Sequence, residues 1–299
     1  MKAAKQPGVR AALLKRNLGI VYSGPMTVWA SVFFLAPLLI IVVYSFLKKG
    51  LYGGVTPDFS FDAYIALKNP NIAVIAVKTL LISLGSTAIT ILIALPCGYF
   101  MARSKYQTLF LMLIIIPFWT NFLIRVYAWM NILGNNGFLN EFLIQSGLIK
   151  NYIHFLYNQN TVVLVLVYMY LPYAILPLYS SIDKFDFSLL EAARDLGATT
   201  LQAMFKVLLP NVRSGIYTAF LFTFIPIFGA YAVPLLVGGK NSYMLGNVIA
   251  DQLTKSRNWP LASAISMVLT LVTTAGVISM LSLQKRDERR LGKSKGGKN

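Results

Sequence analysis

Few residues in this chain are equipped for covalent chemistry. One histidine, His154, and one cysteine, Cys97, occur in 299 residues. A nucleophile–base pair or a metal site needs more than that, and no Cys/His cluster has metal-ligand spacing. No Gly-x-x-x-x-Gly-Lys-Ser/Thr loop occurs, so the sequence carries no P-loop for ATP. None of the ten acidic residues falls deep in an apolar stretch. The distinctive spacing lies at 191–210, EAARDLGATTLQAMFKVLLP. There Glu191, Ala192 and Ala193 are followed by Gly197, and then by Val207, Leu209 and Pro210. The chemistry open to such a segment is non-covalent: two short helices about a glycine corner, offered to a partner.

The surroundings of that segment are apolar. Hydrophobic residues make up 57% of the chain and charged residues 12%, with a mean hydropathy of +0.64. A soluble domain carries about 25% charged residues, so half that charge places much of the surface in lipid. Six segments are long and apolar enough to cross a bilayer. They run Thr27 to Leu47, Ala76 to Met101, Thr108 to Leu133, Thr161 to Ser181, Gly215 to Gly238 and Pro260 to Leu283. Arg125 interrupts the third, and its charge is expected to reach the interface. Prolines inside the spans (Pro37, Pro96, Pro117, Pro172, Pro177, Pro226, Pro234) predict kinks. The expected class is an all-α membrane protein with six transmembrane helices.

The formal charge of +17 raises nucleic acid as a partner, but the excess sits in both tails and in short loops. That placement orients a membrane protein instead. An even number of spans puts both tails on one side, which then holds eighteen of the 27 Lys and Arg. Both tails are therefore expected in the cytoplasm, together with the Glu191 segment. The organisation expected is a cytoplasmic tail at 1–26, a membrane domain at 27–283 with a cytoplasmic loop at 184–213, and a basic tail at 284–299. The first span lacks a cleavage site and is read as uncleaved. From Gly292 the tail is of low complexity and predicts disorder. Outside, Gly50 to Val74 is rich in Gly, Pro and Asp, and GFLNEFLIQSGLI predicts an amphipathic helix on the interface.

Within 184–213, Ser188-Leu-Leu-Glu191 and Thr199-Thr-Leu-Gln202 both read as capping boxes. A helix starting at Ser188 would stop at Gly197, suited to a left-handed position. A second would run through Met204, Phe205, Val207 and Leu208 until Pro210 disrupts it. Ala192 and Ala193 keep the first helix thin, and Leu189, Leu190, Leu196, Met204 and Phe205 offer apolar anchors to a groove.

The full spacing resembles the EAA loop of ABC importer permeases, at Glu191, Ala192, Ala193, Gly197, Leu209 and Pro210, with Phe205 on the second helix. Val207 stands where the usual pattern has isoleucine, and Ser214-Gly215-Ile216 stands where it has Pro-Gly-Ile. IPFWTNFLIRVYAWMNILGNNGFLNEFL, LPLYSSIDKFDFSLLEAARDLGA and GNVIADQLTKSRNWPLASAISM look like the spermidine/putrescine permease subfamily, first of two permeases. The resemblance implies a multi-pass inner-membrane subunit that is not an enzyme and binds no cofactor or metal of its own. It implies a heterodimer with a second permease, two copies of a cytoplasmic ABC ATPase that uses ATP and magnesium, and an extracytoplasmic polyamine-binding protein.

A polycation path needs acidic groups or aromatic faces to replace hydration. The candidates are Trp119, Tyr127 and Trp129 in the third span and Tyr231 in the fifth, each able to offer a ring face to a cation. Tyr127 and Trp129 also read as interface anchors, and His154 as an exposed loop residue. Phe228 to Gly239 holds no carboxylate, although some relatives carry one there. Either the partner supplies the acid, or aromatics suffice, or the solute is another small cationic or organic molecule. A passive channel and an intramembrane enzyme are the readings from other classes.

Overall fold

The computed structural model describes residues 9–296, with side chains described at 23–282, 284 and 285. Helix α1, Val9–Ser45, carries the first apolar span from Ser23. An antiparallel hairpin follows, β1 (Leu47–Lys49) with β2 (Val55–Phe59). Its turn passes through Gly53 and Gly54, both with positive φ (96° and 77°), a conformation that glycine adopts without steric cost. The short α2 (Asp62–Ala66) leads to α3 (Pro70–Arg103). Asn69 caps α3 by accepting from the Asn71 amide at 3.0 Å, and Pro70 fills the first turn, where no amide is needed.

The remaining order is α4 (Gln107–Phe118), α5 (Phe122–Leu133), α6 (Phe138–Gln145) and α7 (Gln159–Asp183). Then come α8 (Ser188–Asp195), α9 (Thr200–Ala203), a π-turn at Met204–Leu208 and α10 (Leu209–Asn211). The chain closes with α11 (Arg213–Phe228), α12 (Ala232–Val237), α13 (Leu245–Thr254) and α14 (Trp259–Gly296).

Helices α3, α7 and α11 form the centre. Lipid offers no hydrophobic drive between helices, so close backbone approach decides their packing. Small residues supply it. Ala94, Ala174 and Ala219 are fully buried in one cluster with Leu178. A Cβ on Gly98 would lie 3.2 Å from the Tyr179 amide, and one on Gly215 would lie 2.4 Å from the Ser181 Cβ. Thr79, Ser83 and Thr90 on α3 are buried and return their hydroxyls to carbonyls one turn back. Helix α1 lies against α14 at the periphery, and its apolar window stays unburied, as a lipid-facing helix should.

Among the described residues, four helices are long and apolar enough to cross a membrane, or five if the bent pair α4–α5 is one span. The continuous third and fifth spans read from hydropathy are therefore corrected. The third breaks at Trp119–Asn121, with α4 and the following helical stretch at 88°. Asn121 starts the new helix by accepting from the Leu123 amide at 2.8 Å, a cap signal inside an apolar run. The fifth breaks after Phe228. Helix α11 has only 16 residues, about 24 Å at 1.5 Å per residue. Pro226 precedes that break, and the Tyr231 carbonyl accepts from the Asn247 side chain at 3.0 Å. Two smaller corrections concern the tails and loops. The hairpin departs from an all-α class, and α14 continues helically to Gly296 where composition predicts disorder. Residues 1–8 of the N-terminal tail and 297–299 of the C-terminal tail lie outside the described residues. The amphipathic helix expected in the 134–160 loop is α6, whose Asn140 is buried and bridges Gly134 and Ile153.

Candidate functional site

The Glu191 segment folds as a knob on the ends of α3 and α7. The glycine corner forms as read. Gly197 has φ +88°, its amide donates to the Arg194 carbonyl at 2.9 Å, and the Ala198 amide donates to the Ala193 carbonyl at 3.0 Å. These are the two bonds of a Schellman ending, with the left-handed residue just past the helix. The second capping box also forms: the Gln202 amide donates to Thr199 Oγ1 at 3.2 Å and the Thr199 amide donates to Gln202 Oε1 at 3.0 Å.

The first box does not form. Helix α8 begins at Ser188, but no side chain caps it from there. Instead Asp186 Oδ1 accepts from the Ser188 amide at 3.0 Å. Hydrogen bonds from the Ser188 side chain and then its backbone hold the Asp186 carboxyl below its ordinary pKa. The reason lies in Phe187, which turns inward and meets Tyr99 and Phe185 edge-on at 6.1 and 5.6 Å. Arg103 stacks over the Phe187 ring at 5.6 Å and donates to the Tyr99 hydroxyl at 3.0 Å. With Phe187 fixed there, Asp186 rather than Ser188 faces the open amides.

Pro210 does not end the second helix either. A proline lacks an amide and crowds the carbonyl four residues back. The backbone widens instead into the π-turn at Met204–Leu208, where the Leu209 amide reaches the Met204 carbonyl. Pro210 then sits in the first turn of α10.

One face of the knob is anchored. Leu190, Ala203, Leu208 and Val212 are buried with Ala102, Ile182 and Phe185, and Tyr99 and Tyr179 pack beside them. Leu190 is therefore a root of the knob and not a free anchor, and Met204 is half-buried. The other face is open. Leu196 is 89% exposed, Leu201 67% and Phe205 64%, with Leu189, Glu191 and Ala192 also exposed. Leu201 was missed in the sequence, although its i, i+4 spacing from Phe205 places both on one stripe. Ala193 and Leu209 are half-buried and Pro210 is exposed. Beside α8 an open cavity of about 570 Å³ is lined by Ser180, Lys184, Asp186, Asn211, Ser214 and Thr218.

The four aromatic candidates do not form one cage. Trp119, 83% exposed, sits at the α4–α5 break, and Tyr231, 44% exposed, sits at the α11–α12 break. Tyr127 is exposed on α5. Trp129 packs against the core and meets Tyr168 edge-on at 5.2 Å. Among the described residues no ring contact joins these four. Sequence reading missed a neighbouring set, Arg125 over Phe118 at 5.5 Å and Phe118 against Tyr173 at 4.9 Å. The second break is braced by Asn247, which also accepts from the Met244 amide at 3.1 Å, while Thr79 Oγ1 accepts from the Leu245 amide at 2.9 Å. His154 is exposed and bonds Asn135 at 2.9 Å. Among the described residues no three His, Cys, Asp or Glu gather as a metal site.

The family model described as "Binding-protein-dependent transport system inner membrane component" matches residues 90–293. The spermidine/putrescine transport system permease protein PotB of Haemophilus influenzae is 39% identical over 260 residues, 86% of this chain and 89% of that protein. The PotB of Escherichia coli (strain K12) is 38% identical over 246 residues, covering 82% and 90%. In fold, the chain is similar to a chain in the crystal structure of a bacterial alginate ABC transporter in complex with an alginate pentasaccharide-bound periplasmic protein. The TM-score is 0.75 at 14% identity, covering 93% of this chain and 97% of that one.

Proposed function

The chain belongs to the binding-protein-dependent transport system inner membrane components, and from that membership we propose that it is the membrane-spanning subunit of an ATP-driven importer for spermidine and putrescine. The observation that carries the reading is the 39% identity to a spermidine/putrescine permease over 86% of the chain. That stretch is too long to reflect a shared loop alone. The relatives are permeases, so ATP hydrolysis belongs to a separate subunit.

The mechanism follows from the knob and the breaks. A cytoplasmic ABC ATPase, present in two copies, grips the open stripe of Leu196, Leu201 and Phe205 beside Glu191 and Ala192. Its movement reaches the membrane through Leu190, Ala203, Leu208 and Val212, which are packed on the ends of α3 and α7. Helices that cross without a break would transmit such a push but offer the solute no polar backbone. The interrupted third and fifth spans offer it, and Trp119 and Tyr231 stand at those interruptions as ring faces for a cation. Tyr127 and Trp129 flank the first break. Counting α4–α5 and α11–α12 as bent single spans gives six crossings with both termini in the cytoplasm. A second permease completes the path, and an extracytoplasmic polyamine-binding protein delivers the solute.

Two measurements test this. Cysteines replacing Ser188 and Asn136, one at a time in a Cys97→Ala chain, should label with an impermeant thiol reagent from outside only at 136. Labelling at 188 alone would invert the arrangement. Vesicles holding the full complex should take up spermidine and putrescine only with ATP on the cytoplasmic face. Another small cationic or organic solute is the second reading, favoured by the absence of any carboxylate between Phe228 and Gly239. Robust ATP-driven uptake of such a solute, with neither polyamine moved, would replace the first reading by the second.

A further inference from the structure

Among the described residues no carboxylate neutralises the charge of Arg125. Helix α4 starts directly after Arg103, which ends α3, and the loop residue Lys105, and has 12 residues, so it climbs about 18 Å before the break at Trp119. Arg125 lies in the first turn of α5, just past that break, where the stretch Phe122–Gln145 turns by 88° from α4. This depth falls within a hydrocarbon core of about 30 Å. The guanidinium folds back over Phe118, at 5.5 Å, on the helix below. Its Nε is buried with no hydrogen-bond partner, and among the described residues no carboxylate pairs with it. A ring face alone is a poor substitute for a counter-ion, and ionisable groups at membrane depth pair or line water.

The counter-charge has three possible sources. A lipid phosphate would draw the side chain away from the break, whereas the guanidinium is turned back over Phe118 on α4. The solute proposed above is itself a cation and would be repelled. The third source is a protein carboxylate from outside this chain. The elbow is uncovered here, with Trp119, Ile124 and Tyr127 all exposed on it. We propose that the α4–α5 elbow is an interface with the second permease, and that Arg125 pairs there with an intramembrane Asp or Glu of that subunit. This rests on the heterodimer in the reading above. The pair would fix the elbow that presents Trp119, and would hide a positive charge from a polycation passing beside it.

The test is a charge exchange in the complete complex, read first by co-purification of the two permeases, which does not depend on the identity of the solute. Arg125→Glu should lower recovery of the complex by about thirty-fold or more, the usual consequence of breaking a desolvated ion pair. Lys in place of one intramembrane Asp or Glu of the second permease should restore it, together with uptake. Arg125→Cys in a Cys97→Ala chain should form an oxidant-induced disulfide with a Cys at that same position, which keeps the test open if the glutamate variant fails to insert. Assembly of Arg125→Gln at the ordinary level would overturn the proposal. So would the absence of any rescuing exchange and of any cross-link, or loss of the complex only on removal of anionic lipid.

Discussion

The knob at 184–213 and the breaks in the third and fifth spans are built from the same few devices, yet they differ in where those devices act. In the knob, capping side chains and a left-handed glycine work at the surface. There, water would satisfy the same backbone groups if they were removed. At the breaks, Asn121 and Asn247 perform the equivalent task inside the membrane domain, where an unmet carbonyl or amide has no water to turn to. Shape is therefore cheap to maintain in the knob and costly at the breaks. The knob can be remodelled to suit a partner, while the breaks must be held by neighbours. Buried Asn247 on α13 and Thr79 on α3 do that holding for the second break.

The largest expected effect comes from the one knob position where a backbone angle, not a contact, sets the shape. Gly197→Val places a branched side chain at φ +88°, although the space around its Cβ is empty. Keeping the left-handed conformation costs an L-residue about 1–2 kcal/mol, and leaving it gives up the two Schellman bonds at about 1 kcal/mol each. Either outcome, about 2 kcal/mol, predicts a fall in ATPase binding on the order of thirty-fold. The chain should still insert, because nothing in the membrane core changes. Co-purification of the ATPase and ATP-dependent uptake check this. Normal values for both would mean that the corner has no part in coupling, and the contrast between the regions would fail on the knob side.

How much could be read from the sequence follows the same division. The Gly197 corner, the Thr199 box and the amphipathic α6 were legible because each depends on residues within one or two turns. The first box was misread because Phe187, between the two candidate caps, is claimed by Tyr99 and Arg103 more than eighty residues away. The breaks were missed for a different reason. A hydropathy window averages over Trp119–Asn121 and Gly229–Tyr231, so two or three residues leave no trace in it. The signals were present locally, as Asn121 before a fresh apolar run and as Pro226 followed by Gly229. Nothing in composition could reveal that Asn247, sixteen residues beyond Tyr231, would complete the second break.

A middle-sized effect sharpens the comparison from the membrane side. If Trp119 and Tyr231 offer ring faces to the solute, Tyr231→Phe should keep uptake while Tyr231→Ala and Trp119→Ala weaken it. Loss of one cation–π contact of about 1 kcal/mol changes apparent affinity roughly five-fold. Both alanine variants should leave ATPase binding untouched, since neither residue touches the knob. Concentration-dependent uptake measures the shift. Unchanged affinity in both would return these aromatics to packing roles. A parallel loss of ATPase binding would mean that the breaks and the knob act as one unit.

The smallest effect separates the two possible caps of α8. A Ser188–Glu191 box would make Glu191→Ala loosen the first turn and leave Asp186→Ala silent. The geometry reverses this. Asp186 accepts from the Ser188 amide, while α8 has no side-chain cap from Glu191. Amide exchange at Ser188 in the assembled subunit should therefore quicken in Asp186→Ala. It should persist near its ordinary rate in Asp186→Asn, because asparagine caps nearly as well. Glu191→Ala should leave that amide alone and, in the docking proposed above, weaken only the hold of the ATPase on the open face. The sign with pH follows from the lowered Asp186 pKa. The carboxylate's support for α8 is complete above the ordinary aspartate range, about 3.9. It is lost only as the pH falls below that through the lower folded value, so exchange at Ser188, corrected for its intrinsic pH dependence, should be flat across neutral pH. Faster exchange in Glu191→Ala than in Asp186→Ala would restore the box read from the sequence, and with it the view that Phe187 does not decide where the helix begins.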